Sequence, residues 1–324
     1  MSQIDQIQNF SRLASLCGAS EVLLAARRTG LMTALDGPPK ALNELAELCD
    51  MPAERLSLLL DVLVSTGAVE RYGDDFALST AMRLVNHHPN ALHGPHWSTL
   101  RSFLCDGDST PPQEHAEEAH HAYRGDTLSL QWTLTAAAME LAEQLQIGQQ
   151  RRGLRILDLG AGSAMWSGAM AYRDPESHVT AVDLPGALEA AERTGKEIDI
   201  SARLDLIPGD YRTLELPEAA FDVVLAVDLL QLQPLEQSED WLRRVHLTLC
   251  AGGELILVGR FAGQPRGDLH RVLGALELAL RVPGAQLHSA EEVGRCLEGI
   301  GFEVGELMLL DAPPYSLGAL VARR

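Results

Sequence analysis

The sequence predicts an α/β protein whose second half is a mainly parallel sheet covered on both faces, preceded by a mainly helical, winged-helix-like first third. Three patterns carry this. From about residue 151, short apolar strands alternate with helical stretches, the signature of a covered parallel sheet. Residues 1–85 run helix, turn, helix, small hairpin. The first strand of the second half ends in a glycine turn that opens a helix.

In chain order, residues 19–35 place Val22, Leu23, Ala26, Leu31 and Leu35 near helical spacing, and Gly37-Pro38-Pro39 stops them. A short helix follows over 42–49, then a turn at Met51-Pro52-Ala53-Glu54 with Pro near a helix start. Residues 55–65 put Leu56, Leu59, Leu60 and Leu63 on one face, and Gly67 ends them. Residues 68–72 and 75–78 read as two strands around a Gly73-Asp74 turn. The order is that of a winged helix, whose second helix reads DNA in some proteins. Here that helix carries one cation, Arg55, between Glu54 and Asp61. This favours packing or dimerisation over DNA reading.

Residues 86–127 hold seven of the eleven histidines: His87, His88, His93, His96, His115, His120 and His121. Trp97 lies among them, Pro111-Pro112 breaks the segment, and Trp132 lies just beyond. His93 and His96 share a face if helical. Metal ligation, scattered packing and one or two histidines lining an acceptor pocket all remain open; His96 and His121 are the candidates for that last role. A further helix spans 128–146, and Arg151-Arg152-Gly153 marks a boundary. The expected organisation is 1–85 winged-helix-like, 86–150 helical linker, and 151–324 sheet domain.

The expected strands are 154–159, 178–182, 203–207, 222–227 and 254–258, with helices including 187–193 and 235–249. Residues 263–283 join the fifth strand to the next helix, with Leu273, Leu276 and Leu280 closing a pocket or completing the core. Strands 301–310 and 316–321 are joined too closely for a crossover, so they pair antiparallel.

Composition sets outer limits. The chain has 324 residues, 46% hydrophobic and 22% charged, enough for a core in one large or two modest domains. A formal charge of -19 argues against a non-specific nucleic-acid binder, whose affinity comes largely from neutralising phosphates, and leaves room only for a local basic patch. The five cysteines (Cys17, Cys49, Cys105, Cys250, Cys296) are dispersed, so neither a zinc site nor a disulfide framework is expected. Each is expected to be a buried small hydrophobe. No signal peptide or membrane helix is read, which makes the cytoplasm the default location.

The chemistry concentrates at Ile156-Leu157-Asp158-Leu159-Gly160-Ala161-Gly162-Ser163. Gly160 and Gly162 allow positive φ and close backbone approach. Met165 stands where a dinucleotide fingerprint needs its third glycine. Asp158 would repel a pyrophosphate and welcome a sulfonium or amino group. Asp183 ends the next strand, where a carboxylate can accept from both ribose hydroxyls. Asp210 follows the third strand in Pro208-Gly209-Asp210-Tyr211 and can meet an adenine amino group. Any one of these aspartates alone reads as a cap or turn. Together they select against phosphate and for a cationic nucleoside, with S-adenosylmethionine (SAM) the expected one. Met165 and Trp166 flank the cofactor or join the core.

With Pro175, Val182-Asp183-Leu184-Pro185 and Ala251-Gly252-Gly253-Glu254-Leu255 added, the chain resembles the SAM-dependent O-methyltransferases of the caffeate and hydroxyindole type. The resemblance implies a Rossmann-like class I methyltransferase domain and a homodimer formed through the N-terminal domain. It implies cofactor contacts at Gly160, Asp183 and Asp210, with Asp158, Gly162, Leu184, Gly209 and Tyr211 in the same motifs. It also implies a small-molecule acceptor, with His96, Trp97 and Trp132 in the segment that lines the acceptor pocket. The family's fourth strand runs into Leu-His-x-Trp, whose histidine deprotonates the acceptor. Here Gln231 stands at that histidine and Gln233 at the tryptophan. Glutamine has no proton to trade in the useful range, so it can orient or stabilise but not act as a base. His246 lies on the following helix, away from the strand end. Three readings follow: a methyltransferase whose acceptor needs no histidine or finds one in His96 or His121, a SAM-binding protein with other or lost activity, and a winged-helix regulator.

Overall fold

A computed structural model describes residues 2–86, 95–105, 118–119, 121–125, 131–263, 269–312 and 315–324. The chain divides into two compact units, Met1–Gly94 and Pro95–Arg324. From Pro95 on, the described part of the expected linker therefore groups with the sheet domain. His87, His88, His93, His115, His120, Pro111 and Pro112 lie outside the described residues.

In the first unit, α1 (Gln3–Arg28) starts far earlier than the apolar spacing predicts, at a capping box formed by Ser2 and Asp5. It ends at Thr29, and Gly30 takes a left-handed turn (φ 77°) before α2 (Leu31–Ala34). The helix expected over 19–35 is thus two helices broken at a glycine. The early part of α1 exposes Ile4, Ile7, Phe10, Leu13 and Leu16. The unit continues with β1 (Lys40–Ala41), α3 (Leu42–Leu48), α4 (Ala53–Ser65), β2 (Val69–Tyr72), β3 (Asp75–Leu78) and α5 (Thr80–Asn86). The hairpin falls where its turn residues place it. β1 adds an edge strand to β3 that two residues of sequence could not announce. Leu56, Leu60 and Leu63 are fully buried against Leu31, Leu35, Leu45 and Phe76. Each buried leucine contributes roughly 1.5–3 kcal/mol.

The second unit begins with a 3-10 turn (Pro95–Thr99) and α6 (Leu100–Cys105), and includes a helical stretch at 121–125. A 3-10 turn (Gln131–Leu134) leads into α7 (Thr135–Gln144), so the α-helix expected over 128–146 is shorter than its apolar pattern. The sheet strands are β4 (Arg155–Leu159), β5 (His178–Asp183), β6 (Leu204–Pro208), β7 (Phe221–Val227), β8 (Leu249–Gly259), β9 (Glu303–Ala312) and β10 (Tyr315–Arg323). Their spatial order is β6-β5-β4-β7-β8-β10-β9. The first five are parallel, and β10 runs antiparallel to both β8 and β9, as the short joint between the last two strands predicts.

Alternate strand residues feed two cores. Ile156, Val179, Ala181, Val223 and Ile256 pack with α7, α8 (Met165–Arg173) and α9 (Pro185–Glu197). Leu157, Val182, Val224 and Leu255 face α10 (Glu239–Thr248), α11 (Leu269–Arg281) and α12 (Ala290–Ile300). The helix expected over 235–249 opens with a 3-10 turn, Leu235–Ser238, after Pro234. The stretch read as a connection over 263–283 is largely α11, which buries Leu278 and exposes Leu273. Cys17 and Cys105 are exposed, contrary to the expectation that every cysteine is a buried hydrophobe, while Cys49, Cys250 and Cys296 are half-buried. Among the described residues no helix is long and apolar enough to cross a membrane. The strand order reverses direction at β4, which puts the ligand crevice of an open α/β sheet at the carboxyl ends of β4, β5 and β7.

Candidate active site

β4 ends in a turn that only glycine fits. Gly160 and Gly162 have φ of 62° and 58°, in the left-handed region. A Cβ on Gly160 would lie 2.7 Å from Leu229 Cδ2 and 2.9 Å from Arg124 Nη2. One on Gly162 would lie 2.2 Å from Gln131 Nε2. Gln131 Oε1 also accepts from the Ser163 amide at 2.7 Å, so this side chain lies along the turn.

Asp158 is buried behind the turn and accepts from Ser167 Oγ of α8 at 2.5 Å. Burial pushes its carboxyl up to about 7, against the opposing pull of the Ser167 hydrogen bond. It ties strand to helix beneath the crevice. Asp183, 2% exposed, is a hub. Its Oδ2 accepts from the Gly162 amide at 2.7 Å and from Arg124 Nη2 at 2.5 Å. Its Oδ1 accepts from the Leu184 amide at 2.6 Å, and its carbonyl from the Gly209 amide at 2.9 Å. The carboxylate thus binds the glycine turn and the start of α9, while the backbone carbonyl of the same residue holds the turn after β6. Asp210 is half-buried and holds Arg212 through both oxygens at 2.6–3.0 Å. Tyr211 is buried edge-on to Trp241, with centroids 5.5 Å apart, and burial raises its hydroxyl to about 12. The Arg124 guanidinium lies 5.7 Å from the Tyr211 ring centroid, so it spans Asp183 and Tyr211.

Arg124 and Gln131 went unread in the sequence. The one available signal for Arg124 is that it is the sole Lys or Arg between Arg101 and Arg151.

A second cluster sits at the end of β7. A cavity there is lined by Asp228, Leu230, Gln231, Arg260, Phe261 and His288, among others. Gln231 is 4% exposed, and neither atom of its side-chain amide makes a hydrogen bond among the described residues. Its carbonyl accepts from the Gln286 amide at 3.0 Å. His288 Nε2 lies 3.2 Å from the Leu230 carbonyl and 3.1 Å from that of Gln233. Gln233 donates to the Gln237 carbonyl and to Ser238 Oγ, both at 3.0 Å, so it fastens the next turn and does not face an acceptor.

Arg260 Nη2 donates to Tyr123 Oη at 3.3 Å. Arg281 stacks over the Tyr123 ring at 4.8 Å and pairs with Glu277 at 3.1 Å. His96 Nε2 lies 3.4 Å from the same Glu277 carboxylate. His96 is thus engaged with α11 and does not line the Gln231 cavity. His121 is exposed and is likewise not part of that lining. Two residues on from His121, Tyr123 is buried. His246 packs edge-on against Phe302 at 4.8 Å, away from the strand end as expected. Trp166 is buried in the sheet core and Trp132 is partly exposed, while Met165 Sδ accepts from Thr135 Oγ1 at 3.3 Å.

Residues 156–253 match the family model described as a methyltransferase domain. The chain is 30% identical over 309 residues to demethylspheroidene O-methyltransferase of Rhodobacter capsulatus, covering 87% of this chain and 74% of that protein. The chain belongs to the class I SAM-dependent methyltransferases. This methyltransferase is also 24% identical over 331 residues to N,N-dimethyltransferase OxyT of Streptomyces rimosus, covering 96% and 95% of the two chains. Its fold matches a structure of PigF with SAH at TM-score 0.74 and 18% identity, over 100% of this chain and 99% of that one. The enzyme uses SAM and acts on a small organic acceptor. The donor set of the crevice fits that cofactor. A glycine cradle that a Cβ would fill is rimmed by the carboxylates of Asp183 and Asp210, acceptors of the kind that ribose hydroxyls and an amino group meet.

Proposed function

We propose that this enzyme methylates an oxygen of a small aromatic or heterocyclic metabolite in the cavity at the end of β7. The observation that carries this is the buried, unpaired amide of Gln231 in a cavity that mixes Leu230 and Phe261 with polar groups. Buried polar groups ordinarily have partners. An amide without one is suited to hold an acceptor's polar edge, while the apolar walls exclude water from its ring.

SAM supplies a methyl group on a sulfonium, so that the acceptor's electron pair takes the methyl as the carbon–sulfur pair stays on sulfur. The chain's work is alignment and exclusion of water. Gly160 and Gly162 admit the cofactor's backbone-facing side. Asp183, with Leu184 at its side, is assigned to the ribose hydroxyls, and Gly209, Asp210 and Tyr211 to the adenine side. Asp158 acts one layer below by fixing Ser167 and the helix that starts at the turn. The expected linker's contribution to the acceptor pocket is assigned to Tyr123, which accepts from the cavity-lining Arg260.

N-methylation is the second reading. Gln231 cannot take a proton, and an amine acceptor does not need one taken before attack. The kinship with an N,N-dimethyltransferase supports keeping it. The N-terminal unit is assigned to homodimer formation and not to nucleic acid, since α1 exposes an apolar stripe while α4 offers only Arg55 as a cation.

The experiment is a screen with methyl-labelled SAM against phenols, hydroxylated polycycles and aromatic amines. Label transfer to a hydroxyl supports the proposal. Transfer confined to nitrogen or carbon, or to none of the panel, contradicts it.

A further inference from the structure

We propose that Asp228 removes the acceptor's proton, doing from the end of β7 what no histidine at position 231 does. The proposal rests on the O-methylation reading above.

Four observations converge on this side chain. Asp228 directly follows β7, at the carboxyl edge where ligands of this sheet type bind. Its backbone is left-handed (φ 53°), uncommon for a residue with a side chain, and this turn carries the carboxylate across to the neighbouring strand end. There Gly259 makes room for it: a Cβ on Gly259 would lie 3.1 Å from Asp228 Oδ1. That Oδ1 is buried and makes no hydrogen bond among the described residues, and it lines the same cavity as the unpaired Gln231 amide. A buried carboxylate left without a donor is costly unless something polar is delivered to it. A hydroxyl held by Gln231 is such a donor.

The surroundings suit a base. Arg260, from the end of β8, lines the same cavity and gives its hydrogen bond to Tyr123. It leaves Asp228 free to accept while placing a cation beside the oxygen that becomes anionic. Tyr123 from 121–125, Glu277 and Arg281 from α11 and His288 ahead of α12 are the other titratable or charged groups among the described residues of the facing elements. Burial pushes the Asp228 carboxyl above its ordinary value and Arg260 opposes that rise. A carboxylate raised in this way is a stronger base than an exposed one and is closer in proton affinity to a phenol. In the step itself the acceptor O–H breaks, its electron pair stays on the oxygen, and the proton passes to Oδ1. Asp228 then returns the proton to water, so no other reactant is required.

The test compares wild type, Asp228→Asn and Asp228→Glu on phenols of graded acidity, using methyl-labelled SAM. Binding of the demethylated cofactor product is followed by calorimetry. Asp228→Asn is expected to lose about a hundredfold or more in kcat at neutral pH on phenols of ordinary acidity, within the usual range for a general base. The loss shrinks to under about tenfold on nitrophenols already ionised at that pH. Product affinity stays within about twofold, and Asp228→Glu recovers part of the rate. Carbon-13 carboxyl spectra should show an aspartate resonance, absent from Asp228→Asn, that shifts when catechol is added to the product-loaded protein. A loss equal across all acidities, a loss below tenfold on ordinary phenols, or a failure of Asp228→Asn to bind the product overturns the assignment. If wild type methylates no phenol, the O-methylation reading fails first and this proposal falls with it.

Discussion

Arg124 Nη2 lies 2.5 Å from Asp183 Oδ2, and both side chains are almost wholly buried. The pair links a helical turn ahead of the sheet to the end of β5, and through the Gly162 amide to the glycine turn itself. Removing one member of a buried pair leaves the other charge uncompensated, at about 3–5 kcal/mol. Asp183→Ala should therefore lower stability by an amount of that order and also weaken SAM binding. Chemical denaturation and cofactor titration on the same preparation check both effects.

The glycine turn gives a sharper test of geometry. Gly162→Ala meets two separate penalties: a left-handed backbone, costing about 1–2 kcal/mol, and the Gln131 amide 2.2 Å from the new Cβ. The amide is the far end of a flexible side chain, so Gln131→Ala should relieve only the second. In a double-mutant cycle, Gly162→Ala is expected to cost less in the Gln131→Ala background, but not to become neutral.

Asp158 predicts a pH dependence of stability. Burial holds its folded carboxyl near 7 against an ordinary 3.8. Between those values the folded chain keeps a proton that the unfolded chain has lost, so this group's penalty grows as pH rises and is complete above about 7. Asp158→Asn should be more stable relative to wild type at pH 8 than at pH 5, by roughly 1–3 kcal/mol. Urea midpoints at the two pH values measure it, and a difference independent of pH contradicts it.

At Gln231 stability and turnover should part company. Replacing an unpaired buried amide by an apolar group of similar size relieves a desolvation cost, so Gln231→Leu should gain about 1 kcal/mol. Gln231→Ala should reduce turnover by under about tenfold, because an orienting group contributes less than a base. A collapse of turnover with the fold intact would make Gln231 a direct participant in the chemistry.

The apolar stripe on α1 predicts a self-association surface. Phe10→Glu, in the middle of Ile4, Ile7, Leu13 and Leu16, should convert a dimer to a monomer in sedimentation velocity. A wild-type protein that is already monomeric contradicts the assignment.

The parts of this architecture that follow local rules were legible in the sequence. The five parallel strands announce themselves as apolar runs, and Gly160, Gly162 and Asp183 by their places at strand ends. What stayed hidden depends on partners far apart in the chain. Nothing local says that Arg124 reaches Asp183 across 59 positions, or that Arg260 meets Tyr123 across 137. Spacing in the histidine-rich segment likewise says nothing of environment: packing sets His96 3.4 Å from Glu277 and leaves His121 exposed. The start of α1 was missed because its apolar residues face outward and so lack a core-facing pattern.

The cofactor half of the site is tested most directly by calorimetric titration of wild type and Asp183→Ala with SAM and with its demethylated product. The account predicts that wild type binds both at one site per chain and that Asp183→Ala loses at least about tenfold in affinity for each, the cost of one charged hydrogen-bonding group. Wild type that binds neither, or an Asp183→Ala variant that binds as tightly as wild type, contradicts it.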